Sequence, residues 1–183
     1  NAGANINARK NTYVGYEAGK KMTYEQNTAV GNQALGGATS GTSNAYSCTA
    51  VGDRALRLIQ DGAHYNTAIG ADAGYQLTTG LYNTLIGGSA GGAITTGRDN
   101  VCVGVDAGDD ITEGEDNTLL GKSAGDAITT GSNNTVIGND AAASSSTVSN
   151  EITLGNTSIT SFRIPGLQSG ASNGQVLTYN STD

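Results

Sequence analysis

The sequence is poor in the residues on which most enzymes and nucleic-acid-binding proteins depend. Its 183 residues include one histidine, one proline, two cysteines and no tryptophan. A single histidine excludes most histidine-ligated metal sites and leaves His64 as the one candidate for a catalytic imidazole. Nine basic residues against sixteen acidic ones give a net charge of −7, so the chain lacks the basic surface typical of nucleic-acid-binding proteins.

Long apolar runs are also missing. No stretch approaches the roughly 18 residues of a membrane-spanning helix, so we expect no membrane insertion. Glycine is abundant, with 28 residues, but it does not recur at every third position and only one proline accompanies it, which excludes a collagen helix. A chain of this composition is either of low complexity or repetitive.

The sequence has a strong internal repeat. The pattern N-T-x-[VIL]-G-x-x-A occurs in eight copies, such as NTAIGADA from Asn66 and NTLIGGSA from Asn83. From Gly70 onward the motif glycine recurs every 17 residues. Such a fixed spacing is typical of coils stacked on one another. The motif glycines are Gly15, Gly31, Gly52, Gly70, Gly87, Gly104, Gly121 and Gly138, and Gly155 continues them.

Other positions follow the same frame. Alanine lies three residues after each of the eight motif glycines. An apolar residue lies seven after the first seven of them, and in most coils a second glycine lies ten after. Each coil therefore reads as two short strands separated by glycine-marked bends. The pattern predicts an all-β parallel β-solenoid, or β-roll, of about 17-residue coils, with ladders of stacked Asn and Thr side chains. We expect a lead-in at residues 1–10, the solenoid at residues 11–155 and a C-terminal segment at residues 156–183.

The predicted strand T-x-[VIL]-G is apolar on both of its faces. The x position alternates with the Thr and Val/Ile/Leu positions, so these occupy opposite faces of the strand. A strand that is apolar on both sides is normally buried on both, yet a two-strand coil has only one interior. We therefore expect the x face to pack against another copy of the chain. The residues predicted to form this intersubunit face are Leu85, Cys102, Leu119 and Val136.

The repeats resemble two groups of known proteins over residues 11–155. The N-T-x-[VI]-G-x-x-A units look like the head repeats of trimeric autotransporter adhesins, and are closer still to the repeats in the shafts of bacteriophage tail fibres. The segments EITLGNTSITSFRIPGLQ from Glu151 and NGQVLTYNSTD from Asn173 resemble the part of such fibres that precedes a C-terminal intramolecular chaperone, a domain that we expect this chain to lack.

The resemblance implies an intimate homotrimer. It further implies a structural, non-enzymatic attachment protein in an extracellular virion tail fibre, with no cofactor. The expected partners are other virion tail or baseplate proteins and a glycan or protein receptor on the host surface. A bacterial trimeric adhesin head is the alternative interpretation. An enzyme such as a polysaccharide depolymerase is a third interpretation, although no pair of carboxylates stands out for glycoside hydrolysis.

The tyrosines are concentrated in the first half of the chain. Tyr65 and Tyr82 occupy the same position in successive coils, and Tyr46 lies just before them in an insertion at residues 42–47 that lengthens one loop between coils. These three side chains are candidates for contact with sugar rings, the alternative being ordinary aromatic packing at a corner. His64, beside them, is interpreted as a surface or loop residue without a catalytic role.

Two further groups of residues are candidates for metal binding or thiol chemistry. Asp109, Asp110 and Glu113 are weak candidates for a calcium site, the alternative being a solvated acidic surface, since the stretch matches neither an EF-hand loop nor the G-G-x-G-x-D unit of calcium β-rolls. Cys48 and Cys102 lie three coils apart, which predicts a separation near 14 Å and two buried free thiols. Contact between Cys102 residues across a trimer axis is the less favoured alternative.

Overall fold

The computed structural model describes residues 10–37 and 42–161 of the chain and places nine short strands there in one parallel sheet. The strands follow one another in the sheet in the order of the sequence, one strand per coil. The strands are β1 (Thr12–Val14), β2 (Thr28–Val30), β3 (Thr49–Val51), β4 (Thr67–Ile69), β5 (Thr84–Ile86), β6 (Val101–Val103), β7 (Thr118–Leu120), β8 (Thr135–Ile137) and β9 (Ile152–Leu154).

Neighbouring coils are in register, which confirms the predicted parallel β-solenoid with a repeat of about 17 residues. Thr67 pairs with Thr84 and Ile69 with Ile86, and the other strand pairs align in the same way. The motif glycine that follows each of β1–β8 has a φ between +127° and +141°. A Cβ atom on Gly70 would overlap the carbonyl of Gly87 in the next coil, so only glycine permits this close approach of the backbones.

The prediction of two strands per coil is wrong. Apart from an isolated bridge between Met22 and Ser43, the described residues form no β pairing outside β1–β9. On the second side of the coil, the N–H groups of Thr78, Thr79 and Gly80 converge on the carbonyl oxygen of Thr95, at 3.0, 3.1 and 3.3 Å. Three donors can reach one acceptor only where the backbone bends sharply, so this side is a stack of turns.

The middle residue of the strands points into the coil. Together with the alanines and the aliphatic residues of the second side, these side chains form one continuous core. The assignment of Leu85, Cys102, Leu119 and Val136 to a trimer face is therefore wrong, because each is fully buried within its own chain. The fully buried middle residues are Ala29, Ala50, Ala68, Leu85, Cys102, Leu119 and Val136.

Within the core, the middle strand residue packs beside the residue that lies four positions after the motif glycine. The sizes of these two side chains are complementary in the coils of β3 and β5, a relation that the sequence patterns did not reveal. In the coil of β3 the middle residue is Ala50 and the matching position holds Leu56. In the coil of β5 it is Leu85, and Gly91 makes room for it, since a Cβ atom on Gly91 would lie 2.7 Å from Leu85 Cδ2. In these two coils a small residue in one position therefore accompanies a large one in the other. In the coil of β4 both residues are small, and Leu56 and Leu85 of the neighbouring coils occupy the space beside Gly74.

A ladder of buried asparagines fixes the corner before six of the nine strands, as predicted. Oδ1 of Asn83 accepts hydrogen bonds from the backbone N–H and from Nδ2 of Asn100, both at 3.1 Å. Nδ2 of Asn83 also donates to the carbonyl of Gly97 at 2.9 Å. Cys48 interrupts the ladder in the coil of β3. The buried ladder asparagines are Asn27, Asn66, Asn83, Asn100, Asn117 and Asn134.

A threonine ladder forms on the second side of the coil. The hydroxyl groups of Thr78 and Thr95 donate to the carbonyls of Thr95 and Thr112, at 2.9 and 3.0 Å.

Several sequence predictions lie outside the described residues: the lead-in apart from Lys10, the C-terminal segment beyond Ser161, and the second glycine at Gly41. No helix able to cross a membrane occurs at residues 10–37 or 42–161.

Candidate functional site: an aromatic corner and an apolar strand face

Five aromatic side chains cluster on one corner of the solenoid, immediately before the strands. We call Tyr24, Tyr46, His64, Tyr65 and Tyr82 the aromatic corner. Tyr46 stacks on His64 with ring centroids 3.9 Å apart. Tyr65 stacks on Tyr82 at 5.1 Å with planes 5° apart, and the edge contact between Tyr46 and Tyr65 at 5.2 Å joins the two pairs. The structure thus brings together the three tyrosines singled out as sugar-contact candidates.

The aromatic corner includes two residues that the sequence patterns did not select. Tyr24 stacks on Tyr46 from the preceding coil with centroids 6.4 Å apart. The sequence predicts a surface or loop position for His64, and the structure adds that its ring stacks on that of Tyr46. The sequence signal was available, since His64 and Leu81 occupy the same position in successive coils as Tyr46.

Two of these tyrosines adopt an unfavourable backbone conformation. Tyr65 and Tyr82 have φ values of +59° and +58°, in the left-handed region. A bulky residue there costs about 1 kcal/mol or more, whereas Asn and Asp tolerate it. In later coils the equivalent position holds Asp99, Asp116 and Asn133 at similar φ values. The two tyrosines are therefore not the residues that backbone stability alone would favour.

His64 is held by its neighbours in a neutral form. Its Nδ1 atom accepts a hydrogen bond from the backbone N–H of Tyr46 at 3.3 Å. Partial burial lowers the pKa of His64, so the imidazole is neutral at neutral pH. A hydrogen bond between Tyr46 and Tyr65, with a smaller contribution from desolvation, raises the pKa of Tyr46. The corner therefore presents uncharged rings and hydroxyl groups.

The stack of aromatic rings ends at Tyr82. Beyond it, along the rod, the next coil has Arg98 and Asp99 in place of aromatic residues, and both are exposed. Arg98 Nε lies 3.0 Å from Glu115 Oε1, one coil further on. Tyr82 itself is 52% exposed. The end of the stack thus combines the accessible ring of Tyr82 with a positively charged hydrogen-bond donor, Arg98, and a negatively charged acceptor, Asp99.

A second surface runs the length of the sheet. We call the outward-facing first and third residues of β1–β9 the outer strand face. At all of these positions the residue is Thr, Val, Ile or Leu, so this face carries no charge. Exposure is high for aliphatic side chains, at 36% for Ile86 and 47% for Leu120. The third-position column consists of Val14, Val30, Val51, Ile69, Ile86, Val103, Leu120, Ile137 and Leu154.

The structure does not bring the acidic residues considered for calcium together as a group of metal ligands. Within residues 10–37 and 42–161 no group of three His, Cys, Asp or Glu side chains is arranged to hold a metal ion. Asp110 and Glu113 are exposed, and only Asp109 is partly buried. Desolvation raises the pKa of Asp109, with smaller contributions from the charges of Asp106 and Asp110. The stretch therefore fits the alternative of a solvated acidic surface.

Both cysteines are buried free thiols, as predicted. Burial raises the pKa of Cys48 to about 11 and that of Cys102 to about 12. Neither thiol is therefore a nucleophile at neutral pH. Cys102 lies inside the coil with no exposed surface, so the alternative of contact between Cys102 residues across a trimer axis is wrong.

Comparison of the chain with family models, with curated proteins and with solved structures finds no match. The functional conclusion therefore depends on the two surfaces just described and on the resemblance of the repeat motif.

Proposed function

We propose that this chain is a structural rod that assembles as a homotrimer in the tail fibre of a bacteriophage. In this role it lies on the outside of the virion, connects other tail or baseplate proteins to the host surface, and catalyses no reaction. The stacked coils supply length and stiffness, and sister chains supply lateral support. The proposal combines the motif resemblance with the geometry of the outer strand face.

The observation that carries the proposal is the uncovered outer strand face. Nine strands spaced about 4.8 Å apart give it a length on the order of 40 Å. Apolar strips of that length are rarely left in water by a stable monomer. Because the middle strand residues already fill the coil, the outer strand face is the part of the sheet that remains to be covered.

Charge supports a second copy of this chain as the partner. The chain has a net charge of −7, so copies repel one another wherever their acidic side chains approach. The outer strand face has no charged position, and it presents the same Thr and aliphatic columns in every copy. It is therefore the surface along which like-charged copies approach at least cost.

Sedimentation velocity over a range of protein concentrations tests the assembly. We expect a species of three times the chain mass of 18.3 kDa. A folded monomer of 18.3 kDa at all concentrations contradicts the proposal. Turnover of a capsular polysaccharide by the purified protein contradicts the non-enzymatic role.

Electron microscopy of the source particle with a labelled antibody tests the location. We expect the label on a tail fibre. Label on a bacterial surface, together with a gene that encodes a downstream membrane anchor in place of a cleavable chaperone, would instead favour the adhesin interpretation, which the N-T-x-[VI]-G-x-x-A motif also supports.

A further inference from the structure

The aromatic corner has features of a ligand-binding surface that packing alone does not explain. Its rings span four successive coils on one corner of the rod, whereas the coils after Tyr82 have Asp, Asn, Ser, Arg or Glu at the positions of His64 and Tyr65. Tyr24, Tyr65 and Tyr82 are 52%, 44% and 52% exposed, so the rings contribute little to the core. A stabilising role would place them inside, where burial is favourable.

Backbone strain at two of the rings points the same way. Tyr65 and Tyr82 lie in the left-handed region at a position where Asn133 and Asn150 fit without comparable strain. Strained residues of this kind are found preferentially at functional sites, because a structural requirement alone is met more easily by another residue. Both strained tyrosines belong to the same stacked pair.

We propose that the aromatic corner binds the pyranose ring of a neutral glycan. The apolar face of a pyranose packs on the accessible ring of Tyr82, as sugars do on aromatic side chains. Asp99 accepts hydrogen bonds from the sugar hydroxyl groups and Arg98 donates to sugar oxygens. The hydroxyl groups of the tyrosines extend the polar contacts along the corner.

Charge around the corner selects a neutral sugar over an acidic one. At the positions of His64 and Tyr65 before strands β2 to β7, the charged residues are Glu25, Arg98, Asp99, Glu115 and Asp116. Arg98 already pairs with Glu115. A sialic or uronic acid carboxylate brought to this corner would meet an excess of negative charge. The expected affinity is that of a shallow, exposed site, in the millimolar to micromolar range for one sugar, increased when several copies bind together.

This inference names the ligand class for the attachment role proposed above, but it does not require the trimer, since the aromatic corner belongs to a single chain. The experiment is a glycan array that carries neutral hexose oligosaccharides beside sialylated and uronic-acid ones. We expect binding to neutral glycans, and at least a tenfold loss of that binding in Tyr82→Asn. Asparagine suits the left-handed backbone, so the variant keeps the fold and a thermal midpoint no lower than that of the parent.

Tyr16→Asn is the matched control. Tyr16 is 64% exposed and lies outside the aromatic corner, at a position where the next coil has Asn32. We expect it to bind as the parent does. The inference is overturned by binding to acidic glycans alone, by binding to no glycan, or by equal binding of the parent and Tyr82→Asn. Sedimentation of the same samples reports the trimer separately, so a monomer that still binds neutral glycans contradicts only the proposed assembly.

Discussion

At the scale of single residues, the backbone of this solenoid tolerates a side chain at one glycine and not at its neighbour. Gly87 has a φ of +139°, and a Cβ atom there would overlap the carbonyl of Gly104. Gly88 lies outside the left-handed region, and the nearest atom to its Cβ would be the carbonyl oxygen of Ala71 at 3.9 Å. The two glycines are adjacent in sequence but differ both in backbone conformation and in the space around them.

We predict opposite effects for alanine at these two positions. Gly87→Ala should lower the free energy of unfolding by at least about 3 kcal/mol, since backbone strain and overlap add. Gly88→Ala should be neutral or raise it by up to about 1 kcal/mol, because alanine reduces the entropy of the unfolded chain. Urea unfolding followed by circular dichroism measures both. Equal midpoints for the two variants would refute the stacked register.

The break in the asparagine ladder at Cys48 gives a second prediction at this scale. Cys48 Sγ lies 3.5 Å from the carbonyl of Ala63, the group that a ladder asparagine would bind, as Asn27 Nδ2 binds Ala45 at 3.0 Å. The thiol is only a weak hydrogen-bond donor. Cys48→Asn should therefore raise the free energy of unfolding by about 1 kcal/mol by completing the ladder.

Cys48→Ala is the matched comparison for that variant. Alanine cannot bond to Asn66 or to the Ala63 carbonyl, so its midpoint should fall below that of the parent. Thermal melts of the three proteins at one concentration provide the measurement. If asparagine lowers the midpoint as alanine does, the buried ladder does not contribute the stability assigned to it.

At the scale of the coil, the core is governed by matched sizes at two positions. Ala50 and Leu56 in one coil exchange roles with Leu85 and Gly91 two coils later. We predict that Leu56→Gly alone costs on the order of 3 kcal/mol through the cavity that it leaves, and that Ala50→Leu alone costs about 1 to 3 kcal/mol through overpacking.

The double variant Ala50→Leu/Leu56→Gly should recover part of both losses, because the new leucine fills the space that the old one leaves. We expect a coupling energy of about 1 kcal/mol or more in a double-mutant cycle measured by urea unfolding. Glycine also suits the left-handed backbone of position 56, where φ is +49°. Strictly additive losses would show that the two positions do not share one space.

The coil also shows where sequence reasoning succeeds and where it stops. The register, the motif glycines and the asparagine ladder were predictable, because each position accepts one residue type for a steric or hydrogen-bonding reason. Which face of the strand points inward was not predictable, because Leu85 and Ile86 are equally apolar. Alternation shows that they lie on opposite faces but does not show which face is buried. The matching glycine at Gly91 was the clue, because it makes room only for a side chain that points inward.

The second side of the coil and the candidate site were predicted less well. Thr78 and Thr79 favour a strand by composition, but three N–H groups that share one carbonyl bend the chain into a turn. Tyr65 and Tyr82 were predictable from their common position in successive coils, and Tyr46 from its place just before them in the sequence. His64 and Tyr24 join the aromatic corner through ring contacts with Tyr46 in a neighbouring coil. Looking for tyrosines at one repeated position does not reveal such contacts.

At the scale of the whole molecule, each coil contacts only its neighbours, so the rod is held together in one dimension along its axis. Lateral support must come from surfaces that run the length of the rod. The outer strand face meets this requirement, while the aromatic corner covers only some of the coils. The two surfaces therefore correspond to different tasks, one for assembly and one for contact with a ligand.

A single charge on the outer strand face should separate these tasks. Ile86 is 36% exposed at the middle of that face, and Ile86→Lys would bury an ammonium group wherever sister chains meet. We predict that the variant sediments as a monomer or with trimer dissociation raised at least a hundredfold, while neutral-glycan binding by a single chain persists. Thr96→Lys adds the same charge on the second side of the coil, where the next coil has Glu113, and it should leave the trimer intact. A trimer in Ile86→Lys as stable as in Thr96→Lys would show that the sheet faces solvent in the assembled rod.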